Sequence, residues 1–243
     1  MSTSSFNETI NSASDTIKSI SNDYPLHVLS EFVSDIINNY DIDIEDVNNK
    51  IIRKGNRISR KLEPDGKRLQ LPLDGKIQCF NEIRDRIVLL FKNVGRNISI
   101  SIGNILYAPA GCEEQNYHYD FDPKNCNTFK SYFIVVALQK DTLFNVRANP
   151  TVRTTRLKLS KGDVLIGRGD LLHAGSAYEK ANIRLHFYAD YKNNGRNENV
   201  TYVTYSDEAI SDQKKIDNLK KAREGKKRKR EKRYALTAHL KRH

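Results

Sequence analysis

An all-β barrel or jelly roll with helices packed outside it is the fold class this sequence predicts. Three observations point there. Apolar residues recur at helical spacing up to Gly95 and at alternating spacing after it. The alternating segments are short and numerous, with turn residues between neighbours. The 243 residues are 38% hydrophobic and 29% charged, enough for one core with appended segments.

Residues 1–22 are rich in Ser, Asn and Thr and are expected to stay loose. Residues 23–95 read as a helical support region. Asp23-Tyr24-Pro25 looks like a helix start, followed at helical spacing by Leu29, Phe32, Val33, Ile36, Ile37 and Tyr40. A second helix is expected from Asp43 to about Arg53. The stretch 54–74, with Gly, Pro and many charges, reads as a loop or short strands. Ile77, Phe80, Ile83, Ile87, Leu90, Phe91 and Val94 mark a strongly amphipathic helix closed by Gly95.

Residues 96–206 read as the β core. Ile98, Ile100 and Ile102 alternate with Asn97, Ser99 and Ser101, the pattern of a strand with one buried face. Further strands are expected over 131–139, 143–148, 154–160, 163–168, 183–191 and 200–205. Lys161-Gly162 and Gly169-Asp170 supply turns.

The net charge of +11 belongs to one end of the chain. Residues 214–243 hold 14 Lys and Arg against Asp217, Glu224 and Glu231, so residues 1–213 are balanced. Residues 207–243 therefore form a basic C-terminal tail on a neutral body. Within it, residues 226–233 (KKRKREKR) fit a nuclear localisation signal, a phosphate-binding arm or a solvated end. No apolar run approaches the roughly 20 residues of a membrane-spanning helix, and the first residues lack a signal-peptide pattern. Cys79, Cys112 and Cys126 are odd in number and widely spaced, which disfavours a disulfide scaffold or a structural zinc site. An intracellular location, cytoplasmic or nuclear, is the expectation.

The chemistry-bearing segment is 107–123, which contains His118-Tyr119-Asp120. Residues two apart on a strand share a face, so one imidazole and one carboxylate can take neighbouring positions around a divalent metal. A third ligand from elsewhere would complete a 2-His-1-carboxylate facial triad with open positions, as in non-haem Fe(II) oxygenases. A surface strand pair is the plainer alternative. His173 follows a tight turn at the start of a short strand, and Arg184 lies on the next strand.

With these residues in order, residues 97–191 resemble the Fe(II)/2-oxoglutarate-dependent dioxygenases, a double-stranded β-helix (jelly-roll) superfamily. The Gly162-Asp163-Val164-Leu165 stretch before His173 and Arg184-Leu185-His186-Phe187-Tyr188 after it look most like the phytanoyl-CoA and prolyl hydroxylase branches. The resemblance implies that His118, Asp120 and His173 bind Fe(II) and that Arg184 pairs with the far carboxylate of 2-oxoglutarate. It implies a hydroxylase using 2-oxoglutarate and O2 on a protein side chain, a nucleic acid or a small molecule. Arg184 suits that role because its planar guanidinium can grip a carboxylate with two parallel hydrogen bonds. Tyr107, at the start of a Tyr-x-Pro-x-Gly turn, matches a position where a phenol helps hold the co-substrate in relatives; core packing is the alternative. Tyr132 is a weaker candidate, set in an apolar run. His186 shares a strand face with Arg184 and Tyr188 and reads as a core histidine or a substrate contact. Arg168-Gly169-Asp170 spells an adhesion tripeptide where the chain must turn. The rival to an enzyme is a non-catalytic jelly-roll binding module with a nucleic-acid-binding tail.

Overall fold

The computed structural model describes residues 10–11, 13, 26–58, 62–73, 75, 77–93, 98–101, 103–121, 131–147, 153–191 and 202–203. The chain divides into two units, Met1–Thr204 and Tyr205–His243. The second unit, with all of the basic tail read from the sequence, lies outside the described residues.

The first strand falls where a helix was expected. β1 spans Leu26–Leu29 and pairs antiparallel with β10, Val164–Arg168. Glu31 then turns the chain at φ 55°, its N–H donating to Asp163 Oδ1 at 2.9 Å. Helix α1 begins only at Ser34 and runs to Asn39. The helical spacing of residues 29–40 is genuine, but the open backbone of β10 captures its first part. Helix α2, Ile44–Lys54, starts where expected because Asp43 caps it, accepting from the N–H groups of Glu45 (2.8 Å) and Asp46 (3.1 Å). Helix α3, Gln78–Asn93, buries Phe80, Ile83, Ile87, Leu90 and Phe91 along one stripe.

Two antiparallel sheets make up the body. The larger takes the order β1-β10-β7-β12-β5-β3-β2, with β4 also pairing β12. Its remaining members are β2 (Asn56–Arg57), β3 (Leu69–Pro72), β4 (Ile98–Ile100), β5 (Asn104–Ala108), β7 (Ser131–Ala137) and β12 (Asn182–Tyr191). The smaller runs β13-β6-β11-β8-β9. It comprises β6 (His118–Tyr119), β8 (Thr142–Arg147), β9 (Thr155–Leu159), β11 (Leu172–Gly175) and β13 (Tyr202–Val203). This is the expected jelly roll. The region 23–95, expected as helical support, also contributes three strands to the larger sheet.

The larger sheet is buried on both faces, which is why β7 reads as an unbroken apolar run. On one face Tyr132, Ile134, Val136, Ile183, Leu185 and Phe187 pack against the helices. On the other Phe133, Val135 and Ala137 meet Phe144 and Val146 of the smaller sheet. Ile10 and Ala13 belong to the helix-side cluster, so the expected loose segment 1–22 is packed at those two positions. Arg86 on α3 grips Asp35 on α1 with two hydrogen bonds, one of 2.8 Å from Nη2 to Oδ2. No helix among the described residues is long and apolar enough to cross a membrane.

Candidate metal and carboxylate site

A cavity of about 360 Å³ opens between the two sheets. The smaller sheet supplies His118, Phe144 and His173 to its wall, and the larger supplies Leu106, Val135 and Arg184. The alternation of β12 decides this. With Ile183, Leu185 and Phe187 claimed by the helices, Arg184, His186 and Tyr188 must face inward.

His118 and His173 stand directly opposite each other in the antiparallel β6–β11 pair, and Asp120 follows one residue beyond the end of β6. Ligand atoms from the three lie within 4.8 Å of one another. His173 Nε2 is 3.4 Å from Asp120 Oδ2, and His118 Nε2 is 3.9 Å from Asp120 Oδ1. All three residues are buried.

The main chain fixes both rings. His118 Nδ1 bonds the Asn116 carbonyl and His173 Nδ1 the Leu171 carbonyl, each at 2.9 Å. The two Nε2 atoms are thereby left for the cavity, because a carbonyl that engages Nδ1 fixes the orientation of the ring, as it does in metal-ligating histidines. Phe133 and Phe144 pack on the His173 ring, with centroids at 4.3 and 5.3 Å. Burial, and then His173, push the His118 pKa down to about 4, so its ring is neutral at neutral pH. Burial opposes ionisation of Asp120, but its imidazole neighbours, His173 foremost, hold its carboxyl well below the usual range. A neutral imidazole and an ionised carboxylate are the forms a divalent cation requires.

Asp120 Oδ2 is buried with no hydrogen-bond partner among the described residues, while Oδ1 accepts one from Tyr188 Oη at 3.2 Å. An orphaned carboxylate oxygen facing two Nε2 atoms fits a metal ion. Two imidazoles and a carboxylate with no thiolate suit iron among the first-row metals. His186 adds a third imidazole, its Nε2 3.8 Å from Asp120 Oδ2 and its side chain 13% exposed.

Arg184 is 2% exposed, and its Nη1 has no hydrogen-bond partner among the described residues. Its Nη2 lies close over Gly175, two residues from His173 on the same face of β11. That spacing is roughly 7 Å of strand. The cavity thus has a group that could hold a metal ion at one position and a buried guanidinium about one short dicarboxylate away.

The structure brings His118, Asp120, His173 and Arg184 together. Tyr107 goes elsewhere. It packs against the helix-side cluster, while Asn104 and Leu106 of the same strand line the cavity. The alternation along β5 puts Tyr107 on the helix side, a facing that the short run Asn104–Ala108 does not reveal in the sequence. Tyr132 also faces the helices, its ring 5.5 Å from that of Phe91. Cys112 is buried beside Ala108 and Tyr178, apart from the three ligand residues, and Cys126 lies outside the described residues. Arg168 and Asp170 pair with each other across their turn, Nε to Oδ1 at 2.8 Å. Sequence reasoning missed Gln115, which lines the cavity, and the buried Arg68 and Glu63 behind it, joined to each other by an ion pair of 3.2 Å. They sit on segments without periodicity, and nothing in their spacing marks them.

No family model matches the chain, and no curated protein matches it in sequence. Solved structures do match in fold. A prolyl hydroxylase from Trichoplax adhaerens, in complex with a hypoxia-inducible-factor peptide fragment, has a TM-score of 0.61 at 8% identity, covering 80% of this chain and 96% of that one. A Pseudomonas putida prolyl-4-hydroxylase gives 0.57 at 11% identity, with 75% and 99% covered. HygX from Streptomyces hygroscopicus, with nickel and 2-oxoglutarate bound, gives 0.50 at 11% identity, with 70% and 84% covered. The chain shares the jelly-roll fold of these oxygenases.

Proposed function

We propose that the chain is an Fe(II)- and 2-oxoglutarate-dependent oxygenase that hydroxylates its substrate. One observation carries the reading: ligand atoms of His118, Asp120 and His173 lie within 4.8 Å of one another, in the same cavity as the buried Arg184, whose Nη1 has no partner among the described residues. The fold it shares with the hydroxylases supports the same conclusion.

In this reading His118 Nε2, Asp120 and His173 Nε2 hold the iron, and Arg184 holds the far carboxylate of 2-oxoglutarate. Bound iron with 2-oxoglutarate and O2 supplies the oxidising chemistry that converts a C–H bond to C–OH. The protein's own part is ligation, orientation and exclusion of water. The backbone acceptors of Asn116 and Leu171 keep both imidazoles aimed. Tyr188 holds the Asp120 carboxylate by one oxygen and leaves the other to the metal. Val135, Phe144 and Leu106 give the cavity a low-dielectric wall, in which the Arg184 charge counts for more than in water.

The basic segment 207–243 supports an added role in sequence-independent, salt-sensitive contact with nucleic-acid phosphates. It is also consistent with nuclear delivery.

The reading is tested by Fe(II)-dependent conversion of 2-oxoglutarate to succinate and CO2 by the full chain. Slow uncoupled turnover is expected without substrate and should be lost in His118→Ala, Asp120→Ala and His173→Ala. Turnover that persists in all three variants would remove the iron site from the account.

A further inference from the structure

The strand pair that brings the two histidines together is short and interrupted. β6 has two residues, and among the described residues His118 and His173 are its one pair in register with β11. Towards the chain before β6, the Gln115 N–H still donates to the Gly175 carbonyl at 2.9 Å. The return bond comes from a side chain, Gln115 Oε1 accepting from the Gly175 N–H at 2.8 Å. The two segments then meet again at the bridge between Cys112 and Tyr178. Between these points the main chain leaves a gap in its own pairing.

Arg68 fills that gap from behind. It stands immediately before β3, is 1% exposed and forms no part of the cavity wall, so it reaches a bound group only through other residues. Its Nη2 donates to the main-chain oxygens of Glu113 at 2.7 Å, of Gly175 at 3.4 Å and of Ser176. Glu113 lies five residues before His118, and Gly175 and Ser176 lie two and three after His173. One nitrogen thus joins the segment that leads into β6 to the segment that leaves β11. Its Nε faces Glu63 Oε2 at 3.2 Å, and Glu63 Oε1 in turn accepts from Gln115 Nε2. The larger sheet anchors the other side. The Arg68 carbonyl accepts from the Ile58 N–H at 3.2 Å, and the next residue, Leu69, pairs with Tyr107 on β5.

Stability alone does not account for this arrangement. Taking two charges out of water offsets most of their attraction, and well-packed apolar residues often stabilise a fold as well as a buried ion pair does. An apolar pair cannot donate to three carbonyls on two chain segments. Arginine can, because its planar guanidinium carries five N–H donors in a fixed fork and keeps its charge when buried. Lysine has a single nitrogen, which cannot stand both beside Glu63 and beside those carbonyls.

Resting on the reading above, we infer that Arg68 is a positioning residue for the metal centre: held by Glu63, its guanidinium ties the segment entering β6 to the segment leaving β11 and so fixes how His118 and His173 present their Nε2 atoms.

The test uses the full chain and Co(II), whose visible bands report the geometry of its ligands. Arg68→Met should weaken Co(II) about tenfold, the lower end of what partners of metal ligands usually cost, and should alter the visible bands. Arg68→Lys keeps a charge for Glu63 and should regain melting temperature without regaining Co(II) affinity. Glu63→Leu combined with Arg68→Met removes both charges together, leaves no lone buried carboxylate, and should show the same Co(II) loss; it decides the matter if Arg68→Met fails to fold. Leu90→Ala, in the helix-side core, is the control: it should lower the melting temperature and leave Co(II) affinity and bands unchanged. Co(II) affinity within about twofold of wild type with the wild-type bands, in folded Arg68→Met or in the double variant, would overturn the inference and leave the oxygenase reading intact. An equal loss of Co(II) in Leu90→Ala would overturn it too, since any loss of stability would then suffice. Wild-type protein that binds no Co(II) would overturn the oxygenase reading and this inference with it.

Discussion

His118 and His173 face each other across the β6–β11 pair with ring centroids 4.4 Å apart, each ring tied by its Nδ1 to a carbonyl two residues earlier in its own strand segment. The same local device at both positions points both Nε2 atoms at Asp120. The register of one strand pair thus does what the sequence leaves unsaid: it carries a residue 55 positions downstream to the side of the His-x-Asp motif.

Tyr188 is expected to act through Asp120. Its hydroxyl bonds Asp120 Oδ1 at 3.2 Å, so Tyr188→Phe removes a group that orients a ligand while keeping the ring. Metal affinity should fall about 10-fold, at the lower end of the usual cost of such partners, with little change in melting temperature. Competition between a chelating dye and the protein for Mn(II) measures it.

Much of this site was legible, and the reason differs by residue. His118 and Asp120 are close in sequence, and strand periodicity alone gives them a common face. Arg184, His186 and Tyr188 follow from the same rule on β12 once the apolar residues between them are assigned to the helices. Tyr107 misleads because the five residues of β5 carry too little alternation to mark a strand, which leaves its facing open in the sequence. Arg68, Glu63 and Gln115 are brought together by loop contacts, such as the Asn116 N–H donating to the Leu62 carbonyl at 2.8 Å and that of Glu113 to Asp65 Oδ2 at 2.8 Å. No periodicity encodes those. The first helix was misplaced for a related reason: β1 forms against β10, 135 or more residues away in sequence, and local spacing cannot register such a partner.

Arg184→Ala should weaken 2-oxoglutarate by about 10- to 100-fold, the worth of hydrogen bonds to a charged group, while iron affinity changes little. Lysine should restore only part of the loss, because it lacks the two-pronged geometry. Calorimetric titration of the metal and of the co-substrate, done separately on each variant, distinguishes the two effects.

The Asp35–Arg86 pair should make stability depend on acid pH. Burial raises the Asp35 pKa, but the hydrogen bond and charge of Arg86 outweigh it and leave it below the ordinary 3.8. A carboxylate with a depressed folded pKa contributes its full stabilisation above its unfolded value and loses it as pH falls through the lower folded one. Asp35→Asn should therefore cost stability at pH 7, on the order of 1 kcal/mol, and nearly nothing at pH values below the folded pKa. Denaturant melts of both proteins across that window check the sign.

Deleting residues 224–243 should leave iron binding and uncoupled turnover unchanged, because residues 1–213 are already charge-balanced and hold every candidate site residue. Affinity for nonspecific DNA or RNA should drop, and the remaining affinity should depend less steeply on salt. Filter binding at two salt concentrations measures both. Unaltered affinity and slope would deny the tail that role.

The most direct test of the central claim is an anaerobic titration of the full chain with Fe(II) in the presence of 2-oxoglutarate, followed by visible absorption. A facial His118–Asp120–His173 set leaves positions at which 2-oxoglutarate can chelate the metal, so a charge-transfer band should grow in and saturate at one iron per chain. It should be absent in Asp120→Ala, in which one ligand is gone and the fold is kept. Iron bound with no such band, or an equal band in Asp120→Ala, would contradict the account.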